Sequence, residues 1–325
     1  MQLDVFLKQV SLNHALNVLI WHAAQAGIEI AALVRQGALQ GVTEKTATTN
    51  VQGETQMQLD IRSHEVAIAQ LRASAVVAAV LSEEEDKPVM FETLDAPFLV
   101  SMDPLDGSSN LAINGVVGSI FSVLPNTGVA TQGEQAFLQP GQAQRAALYV
   151  MYGPATLLVL SLGQGTHVFT LDHDTASFVL TQQTVEIPPE TSEYAINASN
   201  QRYWQPAIQR YIDECLQGAE GVRGRDFNMR WCASMVMDVH RILTRGGVFL
   251  YPRDNKQPVK AGRLRLLYEA NPMSLLVAQA GGESINGLED VLAIQPTSCH
   301  QRVPVLLGSR QEIQRLREYH QQATE

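Results

Sequence analysis

The chain is poor in cysteine: 325 residues hold only Cys215, Cys232 and Cys299, none in Cys-x-x-Cys spacing. An odd, scattered set builds neither a disulfide framework nor a four-ligand zinc site, and it fits a reducing compartment. Basic charge is short as well. Twenty-three Lys and Arg against 33 Asp and Glu leave a formal net charge of −10, and no Lys/Arg run forms a patch. Such a chain repels a nucleic-acid backbone, so nucleic acid is not an expected partner. A membrane-spanning run is also missing from this reading. The apolar stretch between Arg145 and His167 is interrupted by Gly153-Pro154, and its β-branched and aromatic content suits paired strands. Met1-Gln2-Leu3-Asp4 lacks the basic start of a secretory leader. A cytoplasmic location is therefore expected. What is present, 45% hydrophobic and 17% charged residues, is enough for a large core, and the length suggests about two domains.

Along the chain, Leu12, Leu16, Leu19, Ile20, Ala23, Gly27, Ile30, Ala31 and Val34 repeat at helical spacing, a stripe that core packing alone explains. A polar stretch from Gln36 to Gln58 follows, long for a connector and of the kind that is often mobile or functional. A second helix is predicted from Leu59 to Val80. Short strands are predicted at 98–102, 116–124, 147–151, 156–162, 167–171 and 178–181. Ile187-Pro188-Pro189-Glu190 is the best linker, because two prolines interrupt helix and ladder alike. It divides the chain into an N-terminal domain, 1–187, and a C-terminal domain, 191–325. Beyond it a strand over 194–197, helices over 205–215 and 229–243, a strand over 248–251 and a helix opening at Asn271-Pro272 are expected. There is no internal repeat. The fold class is α/β, layered, with two parts sharing a cleft.

The segment richest in chemistry is Asp103-Pro104-Leu105-Asp106-Gly107-Ser108-Ser109-Asn110. Two carboxylates leave a strand three residues apart, with Pro104 fixing φ between them. Amides of Gly107, Ser108 and Ser109 can form an anion cradle. Hard oxygen donors beside a phosphate-sized nest suit Mg²⁺-assisted phosphoryl chemistry. Asp-Pro and Asp-Gly are also ordinary turn dipeptides, and in isolation the segment is equally well read as a turn. Upstream, Ser82-Glu83-Glu84-Glu85-Asp86 follows the apolar stretch 76–81. A charge run is usually a solvated face; at the end of a buried segment it sets its first carboxylates at a cleft edge, where crowding is costly without cations.

Together with these segments, Ser234-Met235, Asp238-Val239-His240-Arg241 and Arg265-Leu266-Leu267-Tyr268-Glu269-Ala270-Asn271-Pro272-Met273 resemble class I fructose-1,6-bisphosphatases, in the same order from about residue 12 to 310. The D-P-L-D-G-S-S run alone points only to the wider lithium-sensitive, Mg-dependent sugar phosphatase superfamily. The resemblance implies alternating α/β/α/β/α layers, an assembly of dimers that is commonly a homotetramer, and hydrolysis of the 1-phosphate of D-fructose 1,6-bisphosphate in carbohydrate metabolism. It implies two or three Mg²⁺ or Mn²⁺ ions per subunit on Glu83, Asp103, Asp106, Glu269 and the Leu105 carbonyl. By the same resemblance Glu84 and Asp60 accept the proton of the attacking water, and Glu54 is an acid brought in by the 36–58 loop. Gly107, Ser108, Ser109 and Asp106 meet the 1-phosphate end of the substrate. Asn197, Tyr251 and Arg263 hold the 6-phosphate with Arg230 of a neighbouring subunit, and Met235 packs against the sugar. Read as residues alone, Tyr251 and Met235 suit a core equally well, and Arg263 and Arg265 suit a surface.

Three departures bear on function. Trp231 and Arg263 stand where many relatives have Tyr and Lys, and Asn200 stands where vertebrate relatives have a phosphate-contacting Tyr. The AMP site of vertebrate and enteric relatives is also altered: Ser11-Leu12-Asn13-His14 stands for its T-G-E-L-type helix start, Pro97-Phe98 for its Lys-Tyr pair and Pro125 for its arginine. Little AMP inhibition is expected there. The competing readings are a dual enzyme that also takes sedoheptulose 1,7-bisphosphate, an inositol-phosphate phosphatase, and an inactive sugar-phosphate sensor. By the same resemblance the step belongs equally to gluconeogenesis and to a Calvin-type cycle.

Overall fold

A short helix that the periodicity did not announce, α1 (Leu3–Val10), precedes the long helix α2 (His14–Gln36) in the computed structural model, which describes residues 1–40, 45–49 and 55–323. Asn13 caps α2, its side-chain oxygen accepting from the Leu16 amide at 3.0 Å. Within the polar stretch, β1 (Lys45–Thr49) and β2 (Thr55–Met57) pair as an antiparallel hairpin. Helix α3 (Gln58–Ala73) follows and ends earlier than the sequence predicted. Ser74 closes it and Ala75 takes φ 56°, the left-handed region, which turns the chain off the helix axis. The apolar run beyond becomes strand β3 (Val77–Ser82), buried at all six positions. A continuous apolar run reads equally as helix or as doubly covered strand, and here the parallel pairing of β3 decides it.

Strands β4 (Val89–Met90), β5 (Phe98–Asp106), β6 (Val117–Pro125), β7 (Ala146–Tyr152), β8 (Thr156–Ser161), β9 (Thr166–Asp172) and β10 (Ser177–Gln182) complete an eight-stranded sheet in the order β10-β9-β8-β7-β6-β5-β3-β4. Only β3 and β5 run parallel within it. A one-turn helix, α4 (Val129–Gln132), follows β6. After 187–190 the chain forms β11 (Glu193–Ile196), α5 (Pro206–Leu216), β12 (Asn228–Met229), α6 (Met235–Arg245), β13 (Val248–Tyr251), β14 (Leu264–Arg265), α7 (Asn271–Gln279), β15 (Glu283–Ile285), β16 (Arg302–Val303), β17 (Val305–Gly308) and α8 (Arg310–Gln322). Its main sheet has five strands in the order β12-β11-β13-β17-β15, and β14 pairs with β16. The helix expected from Met229 starts at Met235, because 228–229 add an edge strand to β11 and Ala233 takes φ 57°.

Alternation along the strands builds the layers. Phe121 points into a core with Phe6, Leu19 and Ile20 of α1 and α2, while its neighbour Ile120 points into a second core with Val239 of α6, Leu276 of α7 and Phe249 and Leu307 of the second sheet. On the far side, Ile208 and Tyr211 of α5 and Ile313 and Leu316 of α8 close a third. The result is α/β/α/β/α. Each such side chain, fully buried, contributes roughly 1.5–3 kcal/mol from apolar area, so both faces of each sheet are held. The inner helix layer matters most for chemistry, since it brings α6 and the segment before α7 against the end of β5.

Candidate active site

At the ends of β3 and β5 a cleft of about 220 Å³ is lined by Asp60, Glu83, Glu84, Asp103, Leu105, Asp106, Gly107, Ser108, Ser109, Arg265 and Glu269. The register of β5 explains why Asp103 and Asp106 share it. On an unbroken strand, residues three apart face opposite sides of a sheet. Here Asp103 lies opposite Ile120 and Asp106 opposite Gly118, so three steps on β5 match two on β6. This bulge, at a proline that has no amide to give the ladder, restores parity and points both carboxylates to the inner layer. The close approach at Asp106 needs two glycines. A Cβ on Gly118 would meet Val236 at 2.7 Å; one on Gly107, whose φ is +75°, would meet Ser234 at 2.7 Å.

Each acid is then oriented. Asp106 Oδ2 accepts from Ser234 Oγ at 2.9 Å and from the Val236 amide at 3.0 Å, at the start of α6. Asp103 Oδ1 accepts from the Leu105 amide at 2.9 Å. Glu269, in a π-turn before α7, accepts from the Arg265 amide at 2.6 Å. Asp60 accepts from the Met57 amide at 2.6 Å at the start of α3, which aims a buried acid along the cleft wall. Oxygens of Asp103, Asp106 and Glu269 lie within 4.8 Å of one another. Burial, and then the neighbouring carboxylate of Glu83, hold Asp103 well above its usual range and push Glu269 up to about 8. Burial also raises Asp106, against the hydrogen bonds from Val236 and Ser234. Three enclosed hard-oxygen donors that resist ionising together fit a divalent cation.

Arg265 was a surface candidate by sequence, yet its side chain is 6% exposed and its Nη2 lies 2.9 Å from Glu83 Oε1. It belongs to the acid cluster; the hints in the sequence are its place at the head of the Arg265–Met273 segment and its spacing of four residues from Glu269. Beyond Gly107 the chain enters a 3₁₀ turn, Ser108–Ile113, whose first amides have no carbonyl within the turn to reach. Glu84 is half-buried at the rim. Glu54 lies outside the described residues.

A second, narrower pocket is lined by Asn197, Asn200, Trp204, Trp231, Tyr251 and Asp254 among others. Trp231 stacks on Phe249, with centroids 5.8 Å apart and planes 7° from parallel, and tilts against Tyr251. Asn197 Oδ1 accepts from the amide and hydroxyl of Ser199, which turns its NH₂ group away from them. Arg263 reaches this pocket through Asp254, donating from Nη2 to both carboxylate oxygens at 3.1 and 3.2 Å. Sequence reasoning missed Asp254, which carries no motif. Two expected residues are not gathered here. Met235 is buried in the core between the sheets, and Arg230 is exposed, with a bond to the Met229 carbonyl at 3.3 Å.

Known proteins resemble this chain in sequence and in fold. Residues 3–183 match the family model described as fructose-1-6-bisphosphatase, N-terminal domain, and residues 187–321 match the C-terminal domain of the same family. Fructose-1,6-bisphosphatase from Leishmania major in holo form superposes with a TM-score of 0.92 at 33% identity, covering 99% of both chains. Its apo form and its T-state each give a TM-score of 0.87 at 32% identity, with the same coverage. Matched in both halves by family model and by fold, the chain belongs to the fructose-1,6-bisphosphatase family.

Proposed function

We propose a division of labour within the two pockets for the reaction that defines this family. The chain is a metal-dependent phosphoric monoester hydrolase that converts D-fructose 1,6-bisphosphate to fructose 6-phosphate and phosphate. Glu83, Asp103, Asp106, Glu269 and the Leu105 carbonyl would hold two or three Mg²⁺ or Mn²⁺ ions, a set supported by the 4.8 Å convergence of three buried carboxylates. Bound there, divalent cations supply positive charge to the attacking and leaving oxygens. Ser108 and Ser109 donate to the 1-phosphate from amides and hydroxyls. Glu84 and Asp60 take the proton of the attacking water, with Glu54 counted as a third acid by family likeness alone. Arg265 balances Glu83 until the acids are loaded. In the distal pocket Asn197, Tyr251 and Arg263 receive the 6-phosphate, with Arg230 supplied by a neighbouring copy in a tetramer. Three cysteines free of disulfides support a cytoplasmic location.

The observation that carries the reading is the acid cluster beside the Gly107–Ser109 turn. Its test is phosphate release by the purified protein from fructose 1,6-bisphosphate, sedoheptulose 1,7-bisphosphate and inositol 1-phosphate. Preference for the first, abolished by EDTA and restored by Mg²⁺, is expected. Release from inositol 1-phosphate at an equal rate would remove the distal pocket from the scheme, and release unaffected by EDTA would remove the ions.

A further inference from the structure

The carbonyl of Pro104 lies in the β5 bulge, where the register passes over Pro104 and Leu105 to face Ser119. Ser119 Oγ donates to that carbonyl at 2.7 Å. The same oxygen lies 2.8 Å from the Tyr152 hydroxyl. A serine hydroxyl has one hydrogen, and a carbonyl can only accept, so Tyr152 must be the donor to Ser119. The chain therefore runs from Tyr152 to Ser119 to Pro104 in one direction. Ser119 is fully buried and Tyr152 nearly so. Burial lifts the Tyr152 phenol above its ordinary value, which keeps its hydrogen in place to donate.

What this pin controls follows from the planarity of the peptide. The Pro104 carbonyl and the Leu105 N–H belong to one rigid unit and point in opposite directions. Ser119 holds one end of the unit; the other end donates to Asp103 Oδ1 at 2.9 Å. Fixing the carbonyl thus fixes the amide that orients the Asp103 carboxylate, and it fixes the chain entering Leu105 and Asp106. Both residues approach from β6 and β7, and neither lines the acidic cleft.

We infer that Ser119 and Tyr152 are positioning residues that set the cation affinity of the Asp103–Asp106 turn. The inference rests on the metal reading given above. It is tested by Mn²⁺ titration of substrate-free protein, followed by electron paramagnetic resonance of the free ion, alongside thermal melts and the Mg²⁺ dependence of kcat. Ser119→Ala should weaken Mn²⁺ binding roughly tenfold, in line with other residues that orient ligands. Tyr152→Phe, which leaves the serine bond but removes its support, should weaken binding about threefold. In both, kcat should recover at high Mg²⁺ while KM for the bisphosphate stays put. A lowered melting temperature with Mn²⁺ affinity unchanged in Ser119→Ala would make the bonds merely structural and overturn the inference. Unchanged affinity in Tyr152→Phe alone would overturn the share given to Tyr152. Should Ser119→Ala not fold, Tyr152→Phe decides. Asp106→Asn serves as the control: unchanged Mn²⁺ binding there defeats the metal reading itself, whereas lost binding there with intact binding in the other two defeats only the pin.

Discussion

Glu269 is fully enclosed, with Glu83 as a like-charged neighbour and Arg265 as the nearest counter-charge, and its carboxyl is pushed up to about 8 from an ordinary 4.5. An acid raised by folding binds its proton more tightly in the folded chain. The stability it contributes is complete below 4.5 and is lost as the pH rises through about 8. Asp103 shifts in the same direction. Thermal melts in EDTA should therefore show falling stability across that window. Saturating Mg²⁺ should reverse the slope, because cations bind the ionised acids and release protons. In Glu269→Gln the metal-free slope should flatten by up to ~1.4 kcal/mol per pH unit, the effect of one proton. A slope identical to that of the parent protein would mean that Glu269 is already ionised in the metal-free fold. Of the acids, Asp103, Asp106 and Glu83 stand out by type and spacing, whereas Glu269 and Asp60 enter the set only through the family likeness. Arg265, Asp254, Ser119 and Tyr152 were not legible in the sequence as site residues: each is an ordinary residue whose role depends on register or on a contact across the fold, as Ser119 depends on the bulge fifteen residues upstream.

Among the elements, most strands and helices could be placed from periodicity, turn residues and prolines. Two misplaced helix boundaries share one cause. The helix predicted over 59–80 ends at Ala73 and the one predicted from Met229 starts at Met235, and in both a left-handed residue, Ala75 or Ala233, breaks the helix where no glycine marks it. The short α1 carries too few turns for its stripe to stand out, although Leu3, Phe6 and Leu7 are buried. The opening of α2 and the start of β5 also carry a functional expectation. Phe98 lies opposite Pro125 in the β5–β6 ladder, and its ring is buried in the outer core. Neither Pro97 nor Pro125 has even an amide hydrogen to offer, and the Asn13 oxygen is engaged with Leu16. Phosphate binding rests on charge-assisted donors, and these positions hold no Lys or Arg. AMP should inhibit weakly. The check is a titration of AMP at fixed Mg²⁺ and subsaturating bisphosphate; half-inhibition in the low micromolar range would show that other residues supply the missing cations.

For the molecule as a whole, the layer order could be inferred from family likeness and is realised by two sheets that share the inner helices, but a single chain leaves the distal pocket short of charge. Among the described residues its guanidinium is that of Arg263, already half-engaged by Asp254, while Arg230 stands exposed just beyond β12, its side chain donating to the Met229 carbonyl. A phosphate dianion is better served by a second cation, and a neighbouring copy can present Arg230 where its own chain does not. On this arrangement Arg230→Ala should raise KM for the bisphosphate several-fold with little change in kcat. The decisive test is complementation. Asp106→Asn subunits lack a working acid cluster but keep Arg230; Arg230→Ala subunits have the reverse defect. Co-expressed with different tags and purified as hybrids, they should regain a fraction of sites with the parental KM, because each Asp106→Asn copy lends its arginine to the intact cleft beside it. If Arg230 acts within its own chain, hybrids will show only the high KM of the Arg230→Ala parent, and the oligomer will have no part in recognising the substrate.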